Sequence, residues 1–379
     1  MKLFHLSDLH IGKPLMDMPL LEDQRWVFER ILSLMDEEQP DAVMICGDVY
    51  DSSRPSADAM ELLDAFLNGL AARGKPVLII SGNHDSPERL TFARSFLKRS
   101  NIHVSPVYDG HIEPVVLRDG HGEVSFWLMP YVHPDNAARF FKGTPVRNAD
   151  DAARAVIGEM KVDTAGRNVI LSHQLIVGGS TSGSERPSIG SLENVSVSLY
   201  DAFDYVALGH LHRPQNVGRK DGTMRYCGTP LMYSRSELGW EKSVTVVELE
   251  EKGNVRVRTL PLGAKRPLRL VRGLFEDLEH DGPAAGTEND LYFIDLTDET
   301  DVPNAAARLR ERFPGLVCMS YDNDRTRGGE DDPEPPEPEE KQPLELVKDL
   351  YRLVNNRAMS DEAADFVRAT LKRMEDMQP

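Results

Sequence analysis

Four short polar motifs each follow an apolar run in this chain, and together they carry carboxylates, imidazoles and an amide without a thiol. They read Asp8-Leu-His10, Asp48, Asn83-His84-Asp85 and His210-Leu-His212, with His173 standing between the last two. Oxygen and nitrogen donors of this kind suit hard and borderline divalent cations. Two such ions about 3.5–4 Å apart can make hydroxide and hold a phosphate between them, provided an anion bridges the pair. Asp48 is the natural bridge, because its two oxygens can face both ions. Asp8 and His10, two residues apart on a strand-end turn, can point at one ion, and His212 completes that site. Asn83, His173 and His210 would hold the other. His84 then stands beside a ligand without being one. A protonated imidazole there can stabilise the crowded phosphoryl oxygens or protonate the leaving alkoxide. Asp51, one turn beyond Asp48, is expected to hold that imidazole in its donor state. Gly47, Gly82 and Gly209 precede three of the motifs and are expected to let the backbone turn tightly beside the cluster.

Such motifs need elements that end where the cluster begins. Residues 3–6, 42–46, 77–80, 169–171 and 205–208 are short apolar runs, each followed at once by one of the polar motifs. Sites outside the carboxyl ends of strands are where open α/β sheets put their ligands. Between these runs the apolar period changes to that of a helix: Val27, Ile31, Leu34 and Met35 share one face, as do Met60, Leu63, Phe66, Leu67 and Leu70. Strands are also expected over 223–226, 243–249 and 255–259. The alternation predicts an α/β domain over residues 1–265. Residues 266–322 read as a small βαβ-like capping unit of α+β type. Residues 323–343 are rich in Gly, Pro and acid and are expected to be a disordered linker. Residues 344–379 carry two amphipathic helices: Leu344, Val347, Leu350, Tyr351 and Val354 on the first, and Ala363, Phe366, Val367, Leu371 and Met374 on a second that Ser360 can cap. A helical pair on a floppy tether needs something to dock on.

The bulk properties narrow the field. With 379 residues, 40% hydrophobic and 28% charged, the chain has room for a large core and a second unit. The net charge is −18, and seven acids with no base lie between Glu330 and Glu340. An acidic body is a poor unaided binder of a phosphate polymer, whose affinity comes from Lys and Arg displacing counterions. If the substrate is DNA, bound metal and a second protein must supply much of the attraction. Cys46, Cys227 and Cys318 are far apart, which argues against disulfides or a zinc ribbon. No secretion signal or membrane span is evident, so a cytoplasmic protein is expected.

Taken in order, the series D-x-H, G-D-x-x-D, G-N-H-D, H and G-H-x-H resembles the calcineurin-like metallophosphoesterase superfamily. The longer strings MKLFHLSDLHIGK, ICGDVYD, SGNHDSPERL, DYVALGHLHRPQ and YCGTPLMYSRSE, with Ser184-Glu-Arg186, are similar to its bacterial ATPase-coupled nuclease branch. The likeness is close over about the first 265 residues and one of layout beyond them. It implies a four-layer α/β sandwich and Mn²⁺-dependent cleavage of DNA phosphodiesters, as a 3′ to 5′ exonuclease and a hairpin endonuclease. Mg²⁺, Fe²⁺ or Zn²⁺ would satisfy the same ligands. It further implies a homodimer through the phosphoesterase domain, and a coiled-coil ATPase partner that receives residues 344–379. Related archaeal and eukaryotic recombination nucleases tend to carry His where this chain has Asp51, so their proton-transfer details do not transfer.

Blander readings stand beside these. His5, His103, His111, His121, His133 and His280 have no partner motif and are expected at surface or satisfied strand positions. Cys46 reads as core, as do Met60, Leu63, Phe66, Leu67, Leu90, Phe96 and Leu97, with a dimer interface as the second option for that group. Lys13, Arg54, Arg89, Arg186 and Arg213 flank the motifs and could meet phosphates. The loop over 178–184 reads equally as a plain connection or a substrate gate. The rival activity is a small-substrate or phosphoprotein phosphoesterase. The rival outside enzymes is a decayed scaffold, against which the intact ligand set argues.

Overall fold

The computed structural model describes residues 1–143, 145–181, 185, 193–219, 221–327, 343–355 and 357–375. Residues 328–342 of the expected linker, Ser184, Arg186 and the side chains of Val354 and Met374 lie outside the described residues. The chain divides into two compact units, Met1–Pro267 and Leu268–Pro379.

The first unit is built on two six-stranded sheets. One runs in the order Val255–Pro261, Ser243–Leu249, Lys2–Leu6, Ala42–Cys46, Val77–Ile80, Ile102–Val104, its last four strands parallel. The other runs Gln215–Asn216, Met224–Tyr226, Tyr205–Leu208, Arg167–Ser172, Gly122–Leu128, Val115–Asp119, its middle four parallel. Side chains alternate across a strand, and both faces of these strands are filled. Leu3, Met44 and Leu78 of the first sheet form one buried cluster with Phe126, Val169, Leu171 and Ala207 of the second. This is the sheet-on-sheet core. Phe4, Val43, Ile45 and Ile79 have the opposite parity and are buried too, so the outer face also needs a cover. The crossover helices Leu21–Glu38 and Ala57–Ala72 bear the buried faces that such a cover requires. Their Phe28 and Phe66 rings stack at 4.4 Å, worth ~0.5–1.5 kcal/mol beyond area burial. Ser56 starts the second helix by accepting the Ala59 N–H at 3.2 Å. Over the outer face of the second sheet, Ala152, Ala153 and Val156 of the helix Ala149–Glu159 join Ile170, Val206 and Leu208 in one cluster. Two sheets back to back with helices outside make the four-layer α/β sandwich.

Two expectations for this unit need correcting. Met60 and Phe96, expected in the core, are 53% and 68% exposed, and nearby Phe92 is 82% exposed. Met60 keeps helical spacing with the buried Leu63 but lies at the margin of the stripe. Phe96 sits in a four-residue helix too short to present a buried face.

The second unit opens with three parallel strands in chain order, Leu268–Gly273, Leu291–Leu296 and Leu316–Tyr321. The helices Phe275–Asp281 and Ala305–Arg312 are its crossovers, and Phe275, Tyr292, Ile294, Leu309 and Phe313 form its core. Two further helices follow, Pro343–Asn355 and Asp361–Glu375. Ser360 Oγ accepts the Ala363 N–H at 3.3 Å, as a cap should. Leu346, Leu350 and Phe366 on these helices are exposed.

Candidate metal centre

The strand ends of both sheets meet at one cluster. Asp8, His10, Asp48, Asn83 and His84 follow three neighbouring strands of the first sheet, and His173, His210 and His212 follow two of the second. The turns that carry them are strained. Asp8, His10, Asp48 and His210 take positive φ of 51°, 43°, 46° and 106°, where each non-glycine residue costs of order 1–3 kcal/mol. Backbone bonds hold them there: Asp8 N–H donates to Gly47 O, His10 N–H to Asp48 O and Ile11 N–H to Val49 O, each at 3.0 Å. Of the glycines before the motifs, Gly47 is the one with positive φ, +87°. Gly209 serves a different purpose from the expected turn: a Cβ there would lie 1.9 Å from Cys46 O, so it allows the two sheets to approach.

The structure brings all seven expected ligands together. His10 Nε2 lies 3.0 Å from His212 Nε2 and 3.6 Å from Asp48 Oδ2. His173 Nε2 approaches the same oxygen, 3.4 Å from Asp48 Oδ2. His173 Nε2 and His210 Nδ1 each stand 3.1 Å from Asn83 Oδ1. Both Asp8 oxygens accept the His210 N–H at 3.1 Å. Three ligand groups result, Asp8–His10–His212, His10–Asp48–His84 and Asp8–Asp48–His173, each with donor atoms within 4.8 Å of one another. Asp8, His10 and Asp48 each belong to two of the three groups, so the groups interlock. The donor chemistry fits divalent cations. His173 Nδ1 meets Cys46 O at 2.7 Å, an oxygen that only accepts, so a proton sits on Nδ1 and Nε2 is the ring nitrogen that faces the cluster. A cation displacing any proton on Nε2 would then meet the tautomer it needs. Asp8 and Asp48 are buried carboxylates, costly to keep charged without a positive partner.

Charge within the cluster is arranged around Asp48. Burial opposes a charge on His173, but the Asp48 carboxylate outweighs it and lifts the imidazole to about 9. Burial would likewise raise Asp48, yet His173 holds it well below the usual carboxylate range. His10 is lowered by burial. His210 is lowered to about 4 by burial and then by the charge on His173. One proton therefore occupies the Asp48–His173 pair where a cation would otherwise balance the acid. The sign of its effect on stability follows: the folded value of about 9 exceeds the ordinary 6.5, so the contribution is full below 6.5 and is lost as pH rises through 9. The chelated protein should melt at progressively lower temperature between those pH values, and His173→Gln should flatten that slope. A melting temperature equally pH-dependent in both proteins would remove the pairing.

His84 is held differently from the expectation. Its Nδ1 donates to the main-chain carbonyl of Asp51 at 2.8 Å, while the Asp51 carboxylate stands 4.0 Å away. The carboxylate is engaged by Lys13 Nζ at 2.9 Å and lies 3.3 Å from His10 Nδ1. A backbone oxygen fixes the tautomer as well as a carboxylate would, and leaves Nε2 facing the cluster, 4.0 Å from Asp48 Oδ2.

Several supporting residues had no reading in the sequence. The Asp85 carboxylate accepts the N–H groups of Val49, Tyr50 and Gly82 at 2.9–3.1 Å, tying the Asn83 loop to the Asp48 loop. Burial, then Asp48, raise Asp85 to about 6. Its place in the run Asn83-His84-Asp85 was the available signal. Glu237 Oε1 lies 3.8 Å from His212 Nδ1 and Oε2 takes a 2.5 Å bond from buried Lys242. Burial opposes its charge, but His212 and Lys242 bring it down to about 2. Gln24 donates to His10 O at 2.8 Å and accepts the Gly12 N–H at 3.0 Å. Of the flanking cations, Arg54, Arg89 and Arg213 are exposed, and Arg213 stacks on Trp240 at 5.2 Å. His5, without a partner motif, is a satisfied strand residue bonded to Tyr205 Oη at 2.9 Å and Leu208 O at 3.1 Å.

With this geometry in place, known proteins are informative. The calcineurin-like phosphoesterase family model matches residues 1–214. The chain is 31% identical over 324 residues to the SbcD subunit of the nuclease SbcCD from Staphylococcus epidermidis, covering 84% of this chain and 85% of that protein. The crystal structure of TT1561 of Thermus thermophilus aligns with 69% of this chain and 99% of its own, at 13% identity and a TM-score of 0.40. The chain belongs to the calcineurin-like phosphoesterase family, and its chemistry is hydrolysis of phosphoesters.

Proposed function

We propose that this chain is a DNA nuclease subunit that works with an SbcC-type coiled-coil ATPase. Similarity to the staphylococcal nuclease subunit carries the reading, because it extends over 324 residues, well past the 1–214 of the phosphoesterase model. Asp8, His10 and His212 would hold one divalent ion, Asn83, His173 and His210 the other, and Asp48 both, with Mn²⁺ the leading candidate. Bound there, the ions supply Lewis acidity and lower the pKa of water. The protein's own part is to align the phosphodiester and manage its protons. Asp48 would fix the spacing of the two half-sites. His84, its Nδ1 proton committed to Asp51 O, would use Nε2 to donate to the leaving 3′ or 5′ oxygen as the bond breaks.

In this reading residues 1–265 are the nuclease, 266–322 a capping domain, 323–343 a linker and 344–379 the dock for the ATPase. The activity would be ATP-coupled 3′ to 5′ degradation of duplex ends and opening of hairpins, serving DNA repair, recombination and replication. The test is the Mn²⁺-loaded chain on linear and hairpin duplexes, with and without the ATPase and ATP. Deleting 344–379 should end co-purification with the ATPase while hydrolysis of a small phosphodiester persists. Intact duplex in every condition, or undiminished co-purification, would refute the corresponding half.

Exposed Phe92 and Phe96, near neighbours in the chain, support a homodimer through the nuclease domain, since large apolar side chains left at a surface mark interaction sites. Phe92→Asp with Phe96→Asp should sediment as a monomer. Retained dimer mass would place the interface elsewhere.

A further inference from the structure

The two halves of the metal centre are built unequally. Asp8 and His10 are fully buried and His212 is 1% exposed, and Asp8 brings that half a carboxylate of its own. The other half offers a neutral amide, the half-buried Asn83, and His210, whose ring borders a cavity of about 270 Å³. Asp48 is common to both. Ligand sets that are more anionic and more rigid hold a divalent cation more tightly.

What stands behind the imidazoles differs in the same direction. His10 Nε2 and His212 Nε2 meet at 3.0 Å, so one of the two must carry a proton there. A cation between them needs both inward nitrogens bare, which leaves each ring its proton on the outer Nδ1. His10 Nδ1 is buried without a hydrogen bond among the described residues, and Asp51 Oδ1 faces it at 3.3 Å. His212 Nδ1 faces Glu237 Oε1 at 3.8 Å. An ammonium pins each carboxylate. Lys13 reaches Asp51 at 2.9 Å, and Lys242 reaches Glu237 at 2.5 Å and Thr229 Oγ1 at 2.6 Å. Glu237 is fully buried and Lys242 is 6% exposed. A buried ion pair adds little stability over an apolar pair of the same size, so packing alone gives no account of this one. His173 has a main-chain carbonyl behind it instead, Cys46 O at 2.7 Å. A charged acceptor makes the stronger bond, and so raises the basicity of the imidazole in front of it by more than a neutral oxygen does.

We propose that Glu237, held by Lys242, is a positioning residue for His212. With Asp51 behind His10, it makes the Asp8–His10–His212 half the one that retains its ion, and leaves the Asn83–His173–His210 half to exchange its own. The proposal rests on the two-ion reading of the site given above. Its test is a calorimetric titration of the chelated full chain with manganese chloride. Wild-type protein should bind in two steps whose Kd values differ by about tenfold or more. Glu237→Gln combined with Lys242→Met removes both buried charges and strands neither. That protein should lose roughly 10–100-fold in the stronger step and keep the Kd of the weaker, so that the gap closes. Asn83→Ala should abolish the weaker step and spare the stronger. Melting of the chelated proteins is followed alongside, because a residue that only supports the fold would lower the melting temperature and weaken both steps alike. That result overturns the proposal, even if DNA is degraded. So do equal steps in the wild type, a stronger step unmoved by the double substitution, or a stronger step lost in Asn83→Ala. Unequal steps whose gap the double substitution closes, in protein that leaves DNA intact, keep the proposal and sink the nuclease reading.

Discussion

Asp48→Asn should cut manganese binding from two equivalents to one or none and lower phosphodiester hydrolysis by at least ~10³-fold. The magnitude follows from the several kcal/mol of charge stabilisation that a cation pair supplies, each ~1.4 kcal/mol being tenfold in rate. Asparagine keeps the size of the side chain, and its oxygen can still accept the His84 N–H that now donates to Asp48 Oδ1 at 2.9 Å, so the fold should survive. What disappears is the negative charge that His10 and His173 both face at Oδ2, at 3.6 and 3.4 Å. Isothermal titration with manganese, paired with a rate assay, measures both losses. Two equivalents bound at wild-type affinity would remove Asp48 from the bridging position.

The second large effect belongs to His84. His84→Gln should keep both equivalents of manganese and lose ~10²–10⁴-fold in rate, the usual contribution of a positioned proton donor. Its pH–rate profile should lose the limb that reports the donor. The geometry adds a contrast with Asp51. A main-chain carbonyl holds the His84 ring at 2.8 Å, while the Asp51 carboxylate faces Lys13 and His10. Asp51→Asn should therefore preserve the shape of the pH profile and cost no more than the ~10–100-fold typical of groups that orient a ligand. Equal losses in the two variants, with the same change of profile, would return the carboxylate to the proton donor.

The cluster was legible because its chemistry is written in residue type and placed by a simple rule: a short apolar run, then a polar motif. Runs 42–46 and 77–80 became strands with those bounds, and the histidines and acids at their ends had nowhere to go but the common edge of the sheets. The strands Val115–Asp119 and Gly122–Leu128 were not legible. The first alternates half-buried and exposed residues in a pattern that a surface loop also shows, and nothing catalytic follows the second to draw attention to it. Glu237 and Lys242 escaped for another reason. Each looks like a surface charge in isolation, and only the folded chain shows that they are buried against His212. The Asp51 expectation failed at the level of an atom. Spacing placed the residue beside His84, but spacing cannot say whether the carboxylate or the peptide oxygen turns toward the ring.

One feature of the sandwich reaches beyond catalysis. Five of the cluster residues hang from one sheet and three from the other, and Gly209 lets the layers close until no room is left for a Cβ beside Cys46 O. An ion gripped from both sides would rivet one layer to its neighbour. Because an unfolded chain has no such grip, the energy of capture becomes energy of folding. Metal scarcity would then loosen the protein's architecture at the same moment that it silences its chemistry.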